Sequence, residues 1–361
     1  MMKNHHLDLT DGVDTSPNVK QTFNDLARKV CEVEIKFLVP PSAEKGSGVD
    51  RSAFNQIDQY FRDKGWIKLE RPGKSLLTRQ LDTPDRRMYD KGVTLRVRGE
   101  CENRDLKTVS EADICVKLGK TKDESGAVRR GEFEARIADF EHSDLKPLRA
   151  KYPKDQFPEI HAALKGISVR DLREYFRIDC IRTRYVVEIP EEVTGLKGRR
   201  FVGELLLDDV AFVLDIPGRK GPPLVFHHDL EIECETLFKA CDYDNNPEAK
   251  NYVSSPLNKH ETNIAMAAVK KAILEATNNR VVINNDSKAE RGFKALDREL
   301  PNLESVLQTR TGHKKGSKIQ SAFRLNASND NTAPAKIHDL LSGDYGYLFR
   351  QNRPIAMTLD M

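Results

Sequence analysis

Hydrophobic and charged residues alternate along several short segments of the chain. In residues 31–39 the apolar side chains of Val33, Ile35 and Phe37 are separated by charged ones. Successive side chains of a β-strand point to opposite faces, so this pattern predicts a strand with one apolar and one charged face. A solvated surface strand would explain the pattern if it occurred only once. The charged face carries Glu32, Glu34 and Lys36.

The alternation recurs along the chain and predicts about eight strands. Apolar residues at helical spacing predict helices in residues 50–66 and 261–279, and a helical insertion in residues 138–176. Residues 21–30 and 286–310 could each hold a further helix. The predicted strands are residues 31–39, 75–85, 92–100, 112–120, 127–137, 177–190, 199–216 and 223–235.

Seven of the eight predicted strands carry their charged residues on one face. The predicted helices are amphipathic and need an apolar surface to cover, and the apolar strand faces are the only large one. If the helices cover the outside, the charged faces point inward. The sequence therefore predicts an α+β protein with an eight-stranded antiparallel β-barrel, a charged interior, helices packed outside and a C-terminal extension.

The composition places these charges in a chain with almost no net charge. Of the 361 residues, 32% are charged and 38% hydrophobic, and the formal net charge is +3. The sequence contains no run of about 18 apolar residues, so no transmembrane helix is predicted. Residues 1–20 lack the apolar block of a signal peptide. Six cysteines without CxxC spacing favour buried free thiols over disulfides or zinc. We therefore expect a cytoplasmic protein.

The predicted interior holds about seven cations and eight carboxylates. Burying unpaired charge is costly, so such an interior must contain water and share its charges with ligands. Closely spaced carboxylates favour a hard divalent cation such as Mg²⁺ or Mn²⁺. Paired arginines favour phosphate oxygens, which the planar guanidinium binds in a bidentate manner. Together they predict a tunnel for a metal-bound phosphate chain.

The same residues resemble a known family. The segment EVEIK, residues 32–36, resembles the N-terminal ExExK signature of the CYTH group of triphosphate tunnel metalloenzymes. This group includes class IV adenylyl cyclases, thiamine triphosphatases and inorganic triphosphatases. The likeness covers roughly residues 30–280. The other motifs follow in the family's order: LDTPDRRMYDKGVTLRVR, CVKLG, RRGEFEARI, IRTR, LDDV and DLEIECE.

The resemblance implies a division of the chain into three parts. A CYTH-like triphosphate tunnel domain would span residues 30–285, preceded by a tail of residues 1–29. Residues 286–361 match nothing in the family pattern and would form a partly flexible extension of unknown role. Gln80 departs from the family, which often has an aromatic residue at that position.

The resemblance also implies roles for the charged side chains. Glutamates at the two ends of the domain would hold Mg²⁺ or Mn²⁺, and the basic residues would grip the phosphates. The implied metal ligands are Glu32, Glu34, Glu231 and Glu233, with Glu132 and Glu134 for a second ion and Glu204 and Asp208 as further candidates. The implied phosphate-binding residues are Lys36, Arg96, Arg98, Lys117, Arg130, Arg182 and Arg184, of which Lys36, Arg98, Lys117 and Arg182 are the candidate catalytic residues.

Three functions are compatible with such a tunnel. The leading interpretation is metal-dependent hydrolysis of a triphosphate compound, either inorganic triphosphate, a nucleoside triphosphate or thiamine triphosphate. A class IV-type adenylyl cyclase, which makes cyclic AMP and diphosphate from ATP, would use the same residues. A non-catalytic polyphosphate or nucleotide sensor is the third. The expected partner is a triphosphate-containing small molecule; a homodimer is possible, and neither a membrane nor a specific nucleic acid is expected.

Overall fold

The strands of the structure form a closed barrel. The computed structural model describes residues 31–40, 51–101, 109–122, 124–141, 143–215, 223–237, 252, 254–255 and 257–299. The strands in these ranges are β1 (Cys31–Val39), β2 (Ile67–Asp82), β3 (Thr94–Cys101), β4 (Val109–Lys122), β5 (Val128–Ile137), β6 (Arg173–Ile189), β7 (Phe201–Leu214), β8 (Leu224–Thr236) and β9 (Val282–Ile283).

All these strands belong to one sheet, in the order β5-β4-β3-β2-β6-β7-β8-β1-β9. An additional antiparallel pairing joins β1 to β5, with Glu32 opposite Arg130, and closes the first eight strands into a ring. Residues further along β1 pair with β8, where Lys36 lies opposite Glu233. The predicted eight-stranded antiparallel barrel is therefore confirmed.

Seven helices of the described ranges lie between and after the strands. They are short except for the two that pack against the closure of the barrel and the one that ends the described chain. Their bounds are α1 (Ser52–Asp63), α2 (Arg87–Asp90), α3 (Lys146–Lys151), α4 (Pro158–Ala163), α5 (Glu191–Thr194), α6 (Lys259–Ala276) and α7 (Lys288–Glu299), with a 3-10 turn at Val169–Asp171.

Three strands begin earlier than the alternation predicts, among them β4, which begins at Val109 instead of residue 112. Strand β2 begins at Ile67 instead of residue 75, because Pro72 and Gly73 read as a break in the pattern but lie in an irregularity where β2 pairs with β6. Strand β6 begins at Arg173, so the helical insertion ends before residue 176. The helix predicted within residues 286–310 is present as α7, whereas the one predicted in residues 21–30 lies outside the described residues.

The apolar strand faces point outward and are covered by the helices. Ile35 and Phe37 of β1 are fully buried in one cluster with Ile57 of α1 and Val269 of α6. A second cluster joins β3, β4 and β5 to α3 and α4, and includes Phe133. Since the helices bury the apolar faces, the opposite faces of the strands form the wall of the barrel interior.

The end of the described chain packs against the barrel. Strand β9 pairs with Phe37 and Leu38 of β1, and the amide of Asn284 donates to the carbonyl of Lys36 at 2.9 Å. Helix α7 follows, and its Phe293 is buried in a third cluster with β6, β7 and β8. The division expected at residue 285 stays a prediction, but the structure places residues 286–299 in contact with the tunnel domain.

Four cysteines among the described residues have the state that the sequence predicts. Cys101, Cys115, Cys180 and Cys234 are buried and free. No helix in the described part of the chain is both long enough and apolar enough to cross a membrane.

Candidate functional site

The barrel encloses a cavity of about 800 Å³. Strands β1, β3, β4, β5, β6, β7 and β8 each contribute at least one charged side chain to its wall, as their parity predicts. The predicted site residues on the wall are Lys36, Arg96, Arg98, Lys117, Glu132, Glu134, Arg182, Arg184, Glu204 and Glu233.

Three carboxylates converge where β7 pairs with β8. Asp208 lies opposite Glu231, and Glu233 follows on the same face of β8. One oxygen atom of each carboxylate lies within 4.8 Å of the others, and none of the three residues is more than 4% exposed. Buried, converging carboxylate oxygens are the ligands that Mg²⁺ and Mn²⁺ prefer, so this Asp208–Glu231–Glu233 group fits a divalent metal.

Basic side chains of the barrel itself contact this group. Arg182 of β6 donates to both oxygens of Asp208, from Nε at 2.8 Å and from Nη2 at 2.7 Å. The ammonium of Lys36 lies 3.6 Å from Glu233. A bidentate guanidinium fixes the orientation of a carboxylate as well as its charge, so Arg182 positions Asp208 within the group.

The last described helix adds two further cations to the group. Lys288 of α7 has its ammonium 2.9 Å from Asp208 and 3.6 Å from Glu233, and it also donates to Glu231. Arg291, one turn along the helix, lies 2.6 Å from Glu231. Neither residue belongs to the predicted site.

These cations keep the buried carboxylates of Asp208 and Glu233 ionised. Burial raises the pKa of Asp208, but the charges of Arg182 and Lys288 outweigh it, so the pKa lies below its ordinary value. Burial also opposes ionisation of Glu233, whose pKa nevertheless lies well below its usual range because Lys36 and Lys288 are close. Asp208 and Glu233 therefore carry negative charge at neutral pH.

A second group of carboxylates lies on β5, which β1 separates from β8, and it is held by cations of β3 and β4. Arg96 contacts Glu132 at 2.8 Å and Glu134 at 3.2 Å. Arg98 lies 2.9 Å from Glu134, and Lys117 lies 3.1 Å from Glu132. Burial raises the pKa of both carboxyls, and the three cations lower it by more, so both remain ionised.

Cys115 completes this second group but is a poor metal ligand. Its Sγ lies among the oxygens of Glu132 and Glu134 and donates to Glu132 at 3.4 Å. Burial in the barrel raises the pKa of the thiol well above its ordinary value, so it stays protonated. Of the two groups, Asp208, Glu231 and Glu233 offer the better set of hard oxygen ligands.

Glu34 lies on β1, the strand between β8 and β5, and so between the two carboxylate groups. It is fully buried, 2.5 Å from Lys36 and 3.3 Å from Arg130. Glu32 pairs with Arg130 through the backbone, but its side chain lies outside the described residues.

Glu204 is separated from both groups by its own basic partners. Arg71 contacts it at 2.5 Å and Arg184 at 2.9 Å. The carboxylate groups found among the described residues do not include Glu204. Its predicted role as a metal ligand therefore stays an expectation, while the position of Arg184 on the cavity wall agrees with the sequence.

The sequence pattern missed Lys288, Arg291 and Arg71. Arg71 stands beside Pro72 and Gly73, in a segment that reads as a turn. Lys288 and Arg291 lie beyond the family motifs, and the signal that could have found them is their spacing. Residues three apart share one face of a helix, so the two cations meet the same surface.

The family of the chain follows from the sequence comparison. The sequence model of the CYTH domain matches residues 31–242, more than half of the chain, so the chain belongs to the CYTH domain family. A comparison with curated protein sequences found no match.

The solved structures that the chain matches have low sequence identity to it. A Hippeastrum protein described as a candidate adenylyl cyclase with a dominant triphosphatase activity is 16% identical, with a TM-score of 0.37, covering 74% of this chain and 95% of its own. A Pyrococcus horikoshii protein is 18% identical, with a TM-score of 0.38, covering 73% and 98%. A candidate adenylate cyclase from Bacillus halodurans is 16% identical, with a TM-score of 0.33, covering 72% and 96%. Similarities this low do not transfer an activity.

Proposed function

We propose that this protein is a divalent-metal-dependent triphosphatase that hydrolyses a triphosphate compound inside the barrel. The observation that supports this most directly is the division of charge inside the barrel, where Glu233 of the carboxylate group reaches the cavity wall that also carries Arg96 and Arg98. Three buried carboxylates lie together at Asp208, Glu231 and Glu233, while Arg96 and Arg98 lie on the wall formed by β3. In a metal-bound phosphate chain, the positive metal would complement the carboxylates and the negative phosphates would complement the arginines.

The basic residues would bind the phosphate chain by exchanging partners. Arg96, Arg98 and Lys117 are each paired with Glu132 or Glu134 in the structure. Phosphate oxygens would compete for the same N–H donors, and the planar guanidinium groups would bind them in a bidentate manner. Because these strands are rigid, the phosphates would be held in a fixed position, which is the main requirement of phosphoryl transfer.

The carboxylate group would hold the metal. Asp208, Glu231 and Glu233 would bind Mg²⁺ or Mn²⁺, which when bound neutralises phosphate charge and acidifies or orients a water molecule. Arg182 would keep the Asp208 carboxylate in place through its two hydrogen bonds. Glu34, beside Glu233, is a further candidate ligand of the same ion.

The wall of the cavity favours hydrolysis over a reaction that must recognise a base. Tyr152 and Phe157 line the cavity, but each is only 8% exposed and packs edge-on against Phe133 and the other. Among the described residues, these aromatic rings therefore offer little surface on which a nucleobase could stack. A small substrate such as inorganic triphosphate needs no such surface.

The test is a substrate panel with Mg²⁺ and with Mn²⁺, in which phosphate, diphosphate and cyclic nucleotide are all measured. The panel contains inorganic triphosphate, ATP, GTP and thiamine triphosphate. We expect phosphate release from at least one compound and no cyclic nucleotide. Diphosphate together with cyclic AMP from ATP would instead identify a cyclase, and tight metal-dependent binding without turnover of any compound would identify a sensor.

A further inference from the structure

One ammonium group lies where the three carboxylates of the candidate metal site converge. The Nζ atom of Lys288 contacts Asp208, Glu231 and Glu233, which are all members of that group. A single cation with three carboxylate partners has the position that a metal ion held by the same three oxygens would take. Lys288 therefore offsets part of the negative charge of this group in the structure.

The backbone before Lys288 directs it into the barrel. Strand β9 occupies the part of the β1 edge that β5 leaves unpaired, and the amide of Asn284 continues the pairing to Lys36. Ser287 then begins α7 with a reciprocal cap, in which its Oγ accepts from the Glu290 amide at 3.1 Å and its amide donates to Glu290 at 2.6 Å. Lys288 is thus the first residue of a capped helix at the cavity wall.

The helix that carries Lys288 is anchored elsewhere. Phe293 packs against Tyr89, Tyr175 and Phe176, with ring centroids 4.6, 5.3 and 5.2 Å away. Arg291 is fixed by three acceptors, at 2.7 Å from Asp229, 2.6 Å from Glu231 and 3.0 Å from the Asp286 carbonyl. These contacts do not depend on Lys288, so its side chain can leave the carboxylates while α7 stays in place.

The Lys288 side chain also has space to move. It is 18% exposed, and it lies on the cavity wall together with Arg182. A flexible four-carbon stem carries the ammonium, in contrast to the two-point contact by which Arg182 holds Asp208. Lys288 can therefore yield its place more easily than Arg182.

We propose that Lys288 is a built-in counter-ion that a divalent metal must displace from the Asp208–Glu231–Glu233 group. This inference rests on the proposed function, because it takes that group as the metal site. Without a triphosphate, the displaced ammonium would remain beside a divalent cation of like charge, so the metal alone binds weakly. A triphosphate offers the ammonium new oxygen partners, so metal and substrate enter the site together.

The test measures Mn²⁺ binding without any triphosphate, by the loss of the electron paramagnetic resonance signal of free Mn²⁺. We expect Lys288→Gln to bind Mn²⁺ at least roughly tenfold more tightly than wild type, because one competing charge is gone. Lys288→Arg keeps the charge and is expected to bind weakly, as wild type does. The matched control is Lys294→Gln on the same helix, whose side chain is 60% exposed and paired with Asp286; it is expected to leave Mn²⁺ affinity unchanged.

A measurement on the wild-type protein makes the test independent of the folding of any variant. Acetylation of lysines by acetic anhydride is followed by mass spectrometry with and without saturating Mn²⁺. We expect Mn²⁺ to increase modification of Lys288 relative to Lys294, because the displaced ammonium leaves its three acceptors. Unchanged Lys288 reactivity at saturating Mn²⁺ would overturn the inference.

The outcomes separate the inference from the proposed function. Equal Mn²⁺ affinity of wild type and Lys288→Gln, in a protein that hydrolyses a triphosphate with Mn²⁺, would overturn only the role of Lys288. Failure of every form to bind Mn²⁺ at millimolar concentration and to hydrolyse any triphosphate would overturn both.

Discussion

At the scale of single residues, the charges of the cavity are partners of one another. Arg98 contacts Glu134, and Arg182 holds Asp208. Such pairs leave few uncompensated charges inside the barrel, where an unpaired charge would be costly. The same side chains can exchange these partners for a metal and a phosphate chain, so one set of residues would serve both stability and binding.

Arg98→Ala is expected to reduce turnover without unfolding the protein. The guanidinium of Arg98 lies on the cavity wall with its side chain 25% exposed, and its partner Glu134 keeps Arg96 as a second cation. Loss of one preorganised donor to a phosphate would lower kcat/KM by about 10²–10³-fold. The measurement is phosphate release from the best substrate of the panel, with circular dichroism to verify folding.

The control for this substitution is Arg149→Ala, which removes an exposed arginine of α3. It should leave kcat/KM within about twofold of wild type, since surface substitutions usually have small effects. Full activity of Arg98→Ala on every triphosphate that the wild type uses would refute the assignment of Arg98 to the site.

Asp179→Asn is expected to stabilise the protein above pH 6. Among the described residues, Oδ1 of Asp179 has no hydrogen-bond partner, and burial raises the pKa of this carboxyl to about 6 from 3.8, although Arg177 opposes the shift. The folded state therefore binds this proton more tightly than the unfolded state, and stability is lost as the pH rises from about 4 to 6. Asparagine does not ionise, so the variant avoids this loss and its free energy of unfolding at pH 8 should be about 1–3 kcal/mol higher than that of wild type.

Urea unfolding at pH 4 and pH 8 measures this effect. The variant should gain stability at pH 8 and differ little from wild type at pH 4. Asp155→Asn, which changes an exposed aspartate, should follow the wild-type curve at both pH values. An equal gain at pH 4 and pH 8 would show that ionisation of Asp179 is not the cause.

At the scale of elements, the sequence predicts strands with a continuous alternation and misses those that are interrupted. Strand β1 has the predicted bounds, whereas β2 extends through Pro72 and Gly73 because its pairing with β6 accommodates an extra residue of β2 at that point. A local pattern contains no information about this partner. The position of α7 is a similar case: its amphipathic face is visible in the sequence, but the surface that it covers is determined only by the closed barrel.

Gly292→Ala is expected to disturb the packing of α7. A Cβ atom at this position would lie 2.3 Å from the ring of Phe176 and 3.0 Å from Phe212. Both rings belong to the apolar cluster that anchors the helix, so the added methyl group has no free space. We expect a loss of about 1–3 kcal/mol from overpacking, which exceeds the gain in helix propensity of about 1 kcal/mol.

Thermal unfolding of Gly292→Ala checks this expectation. Lys294→Ala is the matched control, because it changes an exposed residue of the same helix and should shift the midpoint little. A midpoint of Gly292→Ala equal to or above that of wild type would show that the rings of Phe176 and Phe212 can move aside at no cost.

At the scale of the whole molecule, the inward direction of the charges could be predicted, and their pairing could not. Parity places Glu34 and Lys36 on one face of β1, and the need to bury amphipathic helices turns that face inward. Which carboxylate meets which cation depends on the register of eight strands and on α7. Lys288 is the clearest example, since it meets Glu231 across 57 positions of sequence.

The barrel should remain folded when divalent metals are removed. Its carboxylate groups have basic partners within the chain: Arg182 and Lys288 for Asp208, and Lys117 for Glu132. We expect excess EDTA to shift the thermal midpoint by less than about 2 °C. In contrast, inorganic triphosphate added with Mg²⁺ at a concentration of about 100 times its Kd would stabilise the folded state by about 2.7 kcal/mol. Differential scanning calorimetry, with Mg²⁺-saturated EDTA as the control, measures both effects. Unfolding on chelation would show instead that the metal is structural and that the internal ion pairs do not compensate the buried carboxylates.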